Sequence, residues 1–110
     1  MDRSFAFYRL SHGPDEAKGV LEALRSASGS CAEPGCRSSR IWESTESGDL
    51  LLMEEWDRQE DLERHVRSAV FRRLLAVLEL SRSAPEVFFV RGARLQGMEW
   101  IAEALRHEVR

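Results

Sequence analysis

Residues 50–78 have the sequence LLLMEEWDRQEDLERHVRSAVFRRLLAVL, in which a strongly apolar strand is followed directly by an amphipathic helix. Apolar residues recur every three or four positions after Asp57, and this spacing predicts a helix. Asp57 and Glu60 have the spacing of a capping box at its start. We expect a bend near Ser68. The apolar side of the predicted helix is formed by Leu62, Val66, Val70, Phe71, Leu74, Leu75 and Leu78.

Further elements are predicted on both sides of this stretch. Residues 3–10 alternate aromatic with polar or small residues and predict a first strand. Apolar residues at helical spacing predict a helix after Asp15, and the turn sequence EPGC at 33–36 leads into a second strand. Pro85 ends the long helix and precedes a fourth strand, EVFFVRGARL. An additional helix is predicted at the C-terminus, in residues 96–110.

The predicted order is strand, helix, strand, strand, helix, strand. This is the order of an α+β, ferredoxin-like fold with a four-stranded antiparallel sheet. The third and fourth strands carry apolar residues on both faces, whereas two helices cover one face only. We therefore predict a homodimer in which two sheets face one another. The terminal helix lying on that face is the alternative, and it would allow a monomer.

Length and charge restrict the class of protein. A chain of 110 residues fits one domain, with a core at about 3–95 and the helical extension at 96–110. The net charge is -3 and the arginines are dispersed, so nucleic acid is a poor candidate partner. The apolar runs are too short to span a membrane, and no secretory signal is evident. We expect a soluble cytoplasmic protein.

The two cysteines, Cys31 and Cys36, are separated by the four residues AEPG. A zinc site would lack ligands, because no second cysteine pair or histidine cluster accompanies them. We expect ordinary reduced thiols near a turn, with a redox pair as the alternative.

His65 is the best candidate for a general base. It lies at the edge of the apolar side of the helix, where its ring could either face a cavity or pack in the core. His12 and Tyr8, near the end of the first strand, could donate to a substrate oxygen. Glu54 and Glu55 point to opposite faces of their strand. We expect the enclosed one to pair with an arginine, either Arg40 or Arg91.

The chain resembles the antibiotic biosynthesis monooxygenase family over about residues 3–95. The resemblance is carried by the EPGC turn, by the LLMEEW strand, and by a histidine followed by an S-x-x-F pattern that ends at Phe71. The resemblance implies a dimeric α+β barrel whose members include cofactor-free oxygenases of aromatic phenols, quinol monooxygenases and haem-degrading enzymes. It also implies a pocket beside Trp56, although a core aromatic would look the same. The implied site has His65 as catalytic residue and Trp56, Tyr8, Phe71 and Leu52 as substrate-binding residues, with no cofactor and no metal.

Two positions depart from branches of the family. Aromatic-polyketide oxygenases carry an asparagine at the position of Leu52. The haem-degrading branch carries a tryptophan at the position of His65 and a histidine at that of Leu75. It also uses an asparagine on the first strand, and the first strand predicted here contains no asparagine. Haem degradation is therefore disfavoured. We expect a cofactor-independent monooxygenase acting on a small aromatic phenol or quinol, or, as the alternative, a non-catalytic dimeric module that binds an apolar small molecule or a partner.

Overall fold

The structure is a computed structural model that describes residues 3–28 and 31–91. The order of elements within that part of the chain confirms the predicted α+β, ferredoxin-like fold. The helix expected in residues 96–110 lies outside the described residues. The elements are β1 Ser4–Leu10, α1 Ala17–Ser28, β2 Cys36–Glu43, β3 Leu50–Trp56, α2 Gln59–Val66, α3 Ala69–Leu78 and β4 Glu86–Arg91.

The four strands form one antiparallel sheet in the order β2-β3-β1-β4. Strand β1 is central, and Tyr8 pairs with Leu52 of β3 on one side and with Val87 of β4 on the other. Paired residues share a face of the sheet, so this register decides which side chains meet under the helices.

The main core lies between the sheet and the helices. Alternate residues of β1 and β3 point to this face and pack against the apolar sides of α1 and α3. Burying each large apolar side chain stabilises the fold by about 1.5–3 kcal/mol. The sheet contributes Ala6, Tyr8, Leu10, Leu50, Leu52 and Trp56, and the helices contribute Val20, Leu24, Ala27, Leu62, Phe71, Leu74, Val77 and Leu78.

The second face of the sheet is also apolar, as predicted. Phe5 and Phe7 are buried there and pack against Met53 and Val90. Phe88 pairs with Phe7 on the same face, but it is 52% exposed. Apolar surface on this face thus extends to the edge strand β4.

The long predicted helix is two helices, because Ser68 interrupts it at the expected bend. The Ser68 hydroxyl accepts a hydrogen bond from the Phe71 amide at 3.1 Å and so caps α3. The predicted capping box at Asp57 is wrong. The Asp57 amide donates to the Gly35 carbonyl at 2.8 Å, and its carboxylate accepts from Arg37. These bonds hold Asp57 to the neighbouring loop, and α2 begins one residue later, after Arg58.

Cys31 and Cys36 form a disulfide, so the expectation of reduced thiols is wrong. The turn through Pro34 and Gly35 brings the two Cα atoms to 5.4 Å, within the range that a disulfide requires. Sequence spacing alone could not reveal this approach. Closing such a short loop stabilises the folded chain by roughly 2 kcal/mol through the restriction of the unfolded state.

Two glycines offer a matched test of the fold. Gly35 has φ of +84°, and a Cβ there would overlap the Asp61 side chain; Gly19 lies in α1 with open space around it. We expect Gly35→Ala to lower the free energy of unfolding by at least about 1 kcal/mol. Gly19→Ala should raise it by about 0.5–1 kcal/mol, because alanine loses less backbone entropy in a helix. Urea denaturation measures both, and equal effects of the two variants would contradict the turn geometry.

Candidate active site

A carboxylate is buried at the end of β3, on the helix-facing side of the sheet. Glu54 is 2% exposed, and its Oε1 accepts a hydrogen bond from the Tyr8 hydroxyl at 2.8 Å. The register explains the contact: Glu54 pairs with Ala6, and Tyr8 is the next residue of β1 on the same face. The expected arginine partner is therefore wrong for Glu54. Instead, Glu55 on the opposite face contacts Arg3 and Arg37.

His65 lies between two carboxylates. Its Nδ1 is 2.7 Å from Oε1 of Glu33 and donates to it, while Nε2 is 3.3 Å from Oε1 of Glu54. The second contact is a close charge contact without the alignment of a hydrogen bond. The ring is 1% exposed and packs against Trp56, at 4.5 Å between centroids, and edge-on against Phe71, at 5.4 Å. The imidazole is thus fixed by contacts on all sides.

The electrostatics of this cluster favour a charged histidine and a neutral tyrosine. Burial lowers the pKa of His65, but the negative charges of Glu54 and Glu33 and the hydrogen bond to Glu33 outweigh it and raise the pKa above 6.5. Burial, the charge of Glu54 and the hydrogen bond to it raise the pKa of Tyr8 far above its ordinary value. An imidazolium lying between two carboxylates is a poor proton acceptor, which leaves the carboxylates of Glu33 and Glu54 as the groups of the cluster that can accept a proton.

A cavity of about 210 Å³ adjoins this cluster, between the sheet, α1 and α3. Its walls include both carboxylates that contact His65, the Trp56 ring and the disulfide. His65 itself lies behind Glu54 and Trp56, outside the wall. The residues of the wall include Cys31, Glu33, Cys36, Glu54, Trp56 and Arg73.

The five residues predicted from the sequence converge on one region. Tyr8, Leu52, Trp56 and Phe71 belong to the buried core, and the His65 ring contacts two of them. Of the five, Trp56 lines the cavity and the other four lie deeper. His12 lies at the opposite end of β1, where its ring nitrogens contact the Gly13 and Gly48 carbonyls.

Glu33 is a site residue that sequence reasoning missed. It lies in the EPGC turn between the two cysteines, and only the fold brings this turn to α2. An acidic residue within a Pro-Gly turn is an ordinary surface pattern, so no local signal distinguishes it.

In residues 3–28 and 31–91 no group of three or more metal-ligating side chains is arranged to hold a metal ion. None of the helices in that part of the chain has the length and hydrophobicity of a membrane span.

The contacts of His65 predict a pH dependence of stability. Folding raises the pKa of His65 above 6.5. The stabilising contribution of His65 is therefore complete below pH 6.5 and is lost as the pH rises through the pKa of the folded state. The free energy of unfolding of the wild type minus that of His65→Gln should therefore fall with pH above about 6.5. Urea denaturation over a pH series measures the difference. Glu33→Gln should weaken the dependence, whereas a difference that rises with pH would contradict this account.

Comparison with known proteins identifies the family. The family model described as antibiotic biosynthesis monooxygenase matches residues 5–77. Similar solved structures include Rv0793 from Mycobacterium tuberculosis, with 27% identity, a TM-score of 0.72 and coverage of 84% of this chain and 95% of that chain. A conserved protein from Methanosarcina mazei Go1 has 21% identity, a TM-score of 0.72 and the same coverages. PA3566 from Pseudomonas aeruginosa has 22% identity, a TM-score of 0.67 and coverages of 86% and 96%.

No match was found among curated proteins. The family model nevertheless spans well over half of the chain, and the fold agrees with that of the similar structures. The protein belongs to the antibiotic biosynthesis monooxygenase family.

Proposed function

We propose that the protein is a cofactor-independent monooxygenase that acts on a small aromatic phenol or quinol in the cavity beside Trp56. The observation that carries the proposal is the buried carboxylate of Glu54 in the cavity wall, held by Tyr8 and backed by His65. A buried carboxylate is costly to maintain, and buried titratable groups in a cleft are typical of functional sites. Membership of the family favours the same reaction class.

The chemistry requires a base more than it requires a cofactor. Ground-state oxygen is a triplet and reacts slowly with a closed-shell phenol, whereas the deprotonated phenol or quinol is electron-rich enough to transfer one electron to it. In the proposed reaction the substrate hydroxyl gives its proton to Glu54. One oxygen atom then enters the product and the other leaves as water, with the substrate supplying the electrons.

The residues around Glu54 have separate roles in this proposal. His65 contacts the carboxylate from behind and holds it in place, so we now propose a positioning role for His65 rather than the role of the base itself. Arg73 adds a positive charge to the cavity wall, which would favour an anionic substrate. Trp56 Nε1 is buried and has no hydrogen-bond partner among the described residues.

The size of the cavity limits the substrate. A volume of about 210 Å³ is below the range of about 300–1,000 Å³ typical of pockets for drug-sized ligands. The proposed substrate is therefore an aromatic compound of one or two rings. A different observation favours the alternative function, a non-catalytic module binding an apolar small molecule: Tyr8, Leu52 and Phe71 are packed in the core instead of lining the cavity.

Adjacent glutamates provide a matched test of the reaction. We expect the purified protein, free of metal and flavin, to catalyse oxygen uptake with a naphthoquinol or a small phenol. Glu54→Gln should lower the rate by about 10²–10⁴-fold, the usual effect of losing a general base. Glu55→Gln changes the next residue of the strand, on the opposite face, and should leave the rate within a few-fold of the wild type. An oxygen electrode measures the rates, and circular dichroism establishes that each variant is folded.

The outcomes separate the two functions. Equal loss of activity in both variants, or none in either, would contradict the role of Glu54. If folded wild-type protein gives no uptake above the spontaneous rate but binds the aromatic compound, with quenching of Trp56 fluorescence, the binding module is favoured. A Trp56→Phe variant identifies the quenched signal among the three tryptophans.

We further propose that the protein is a homodimer formed through the second face of the sheet. The half-exposed Phe88, which lies beside Phe7 on that face, supports this arrangement, since exposed aromatic side chains are typical of interfaces.

Two similarly exposed apolar residues test the interface. Phe88 is 52% exposed on the second sheet face and Leu75 is 42% exposed on α3. We expect Phe88→Asp to weaken the dimer at least 100-fold, because a carboxylate would be buried in the interface, whereas Leu75→Asp should leave it intact. Sedimentation equilibrium measures the association. A monomeric wild type, or equal effects of the two substitutions, would contradict the proposed interface.

A further inference from the structure

The disulfide and the contact between Glu33 and His65 belong to the same short loop. Residues 31–36 run from one cysteine to the other, and Glu33 lies between them. Both cysteines line the cavity together with Glu33, Glu54 and Trp56. The covalent bond therefore closes the loop that supplies one of the two carboxylates beside His65.

The C-terminal end of this loop is held by the sheet without help from the disulfide. Cys36 is the first residue of β2 and pairs with Trp56. The Cys36 amide donates to the Glu33 carbonyl at 3.1 Å, and the Gly35 carbonyl accepts from Asp57. These bonds would remain if the disulfide were opened.

The N-terminal end differs, because Cys31 has φ of +59°. Non-glycine residues rarely adopt this left-handed conformation, which is maintained only where the surroundings hold it. Among the described residues, the covalent bond to Cys36 constrains Cys31 directly. Releasing it would free Cys31 and Ala32, so Glu33 would keep its carbonyl bond to the Cys36 amide but lose the constraint on its N-terminal side, and its side chain would be held less firmly against His65.

We propose that Cys31–Cys36 is a thiol-reducible site that governs the contact between Glu33 and His65. A small thiol or dithiol reductant attacks one sulfur and forms a mixed disulfide; a second thiol then releases the reductant as its own disulfide. The protein gains two electrons and two protons and carries two thiols. Both cysteines are partly exposed at the cavity, so a small reductant can reach them.

Reduction changes the surroundings of His65 in a defined direction. Glu33 faces the ring from the loop and Glu54 faces it from β3, with Tyr8 beyond Glu54. Loss of the Glu33 contact removes one of the two negative charges that favour the imidazolium, so His65 releases its proton more readily. The reduced form thus has a less charged cluster behind Glu54. The claim that reduction regulates catalysis rests on the proposed function. The claim that reduction changes the titration of His65 does not.

Titration of His65 by nuclear magnetic resonance tests the inference on the full chain. The imidazole signal is assigned among the three histidines with a His65→Gln variant. In the oxidised wild type, thiol titration should find no free thiols, and dithiothreitol should produce two under native conditions. We expect the midpoint of the His65 titration to move to lower pH on reduction.

Two variants separate this effect from general loosening of the fold. Glu33→Gln should have the lowered midpoint already in the oxidised state and should show no further movement on reduction. The Cys31→Ser variant should match the reduced wild type without any reductant. If the serine variant does not fold, reduction of the wild type still gives the result.

Three outcomes would overturn the inference. These are a His65 midpoint that is the same in the oxidised and reduced wild type, a disulfide that resists dithiothreitol in the native protein, and free thiols in the protein purified without reductant. Oxygen uptake is read separately. If the His65 titration responds to reduction but the protein consumes no oxygen, the proposed function is contradicted and the redox site is supported. If the protein consumes oxygen but the His65 titration does not respond, the redox site is contradicted and the proposed function is unaffected.

Discussion

The burial of the Glu54 carboxylate is the constraint on which the rest of the site depends. Moving an unpaired carboxylate into a protein interior costs on the order of several kcal/mol, so the fold must supply partners. The β1–β3 register brings the Tyr8 hydroxyl to it, and the position of α2 brings His65. The start of α2 after Arg58 matters for the same reason, because it sets where the imidazole meets the strand.

The same constraint links elements that are distant in sequence. Glu33, His65, Glu54 and Tyr8 lie on a loop, a helix and two strands, and each contacts the next. Removing one member leaves a neighbouring polar group buried without its partner, so the effects of single substitutions are not additive within the cluster. The apolar core fixes the shape of the fold, whereas this polar chain determines the charge beside the cavity.

Periodicity predicted the elements well because apolar spacing follows directly from the geometry of strands and helices. The bend at Ser68 was predictable for the same local reason, since serine caps a helix with its own side chain. Partners were not predictable in this way. Alternation placed Glu54 and Glu55 on opposite faces, but long-range packing decided that the buried one contacts His65 instead of an arginine. The disulfide likewise depends on the path of the chain through the turn.

The departure from the family pattern at Leu52 has a structural counterpart two residues along the strand. Residues 52 and 54 point to the same face, since side chains alternate along β3. Leu52 is buried in the core, where an asparagine would need hydrogen-bond partners, and the polar group on this face is Glu54 instead. A carboxylate differs from an amide in that it can accept a proton. The proposed chemistry therefore depends on this carboxylate, which the His65 ring contacts from the helix side.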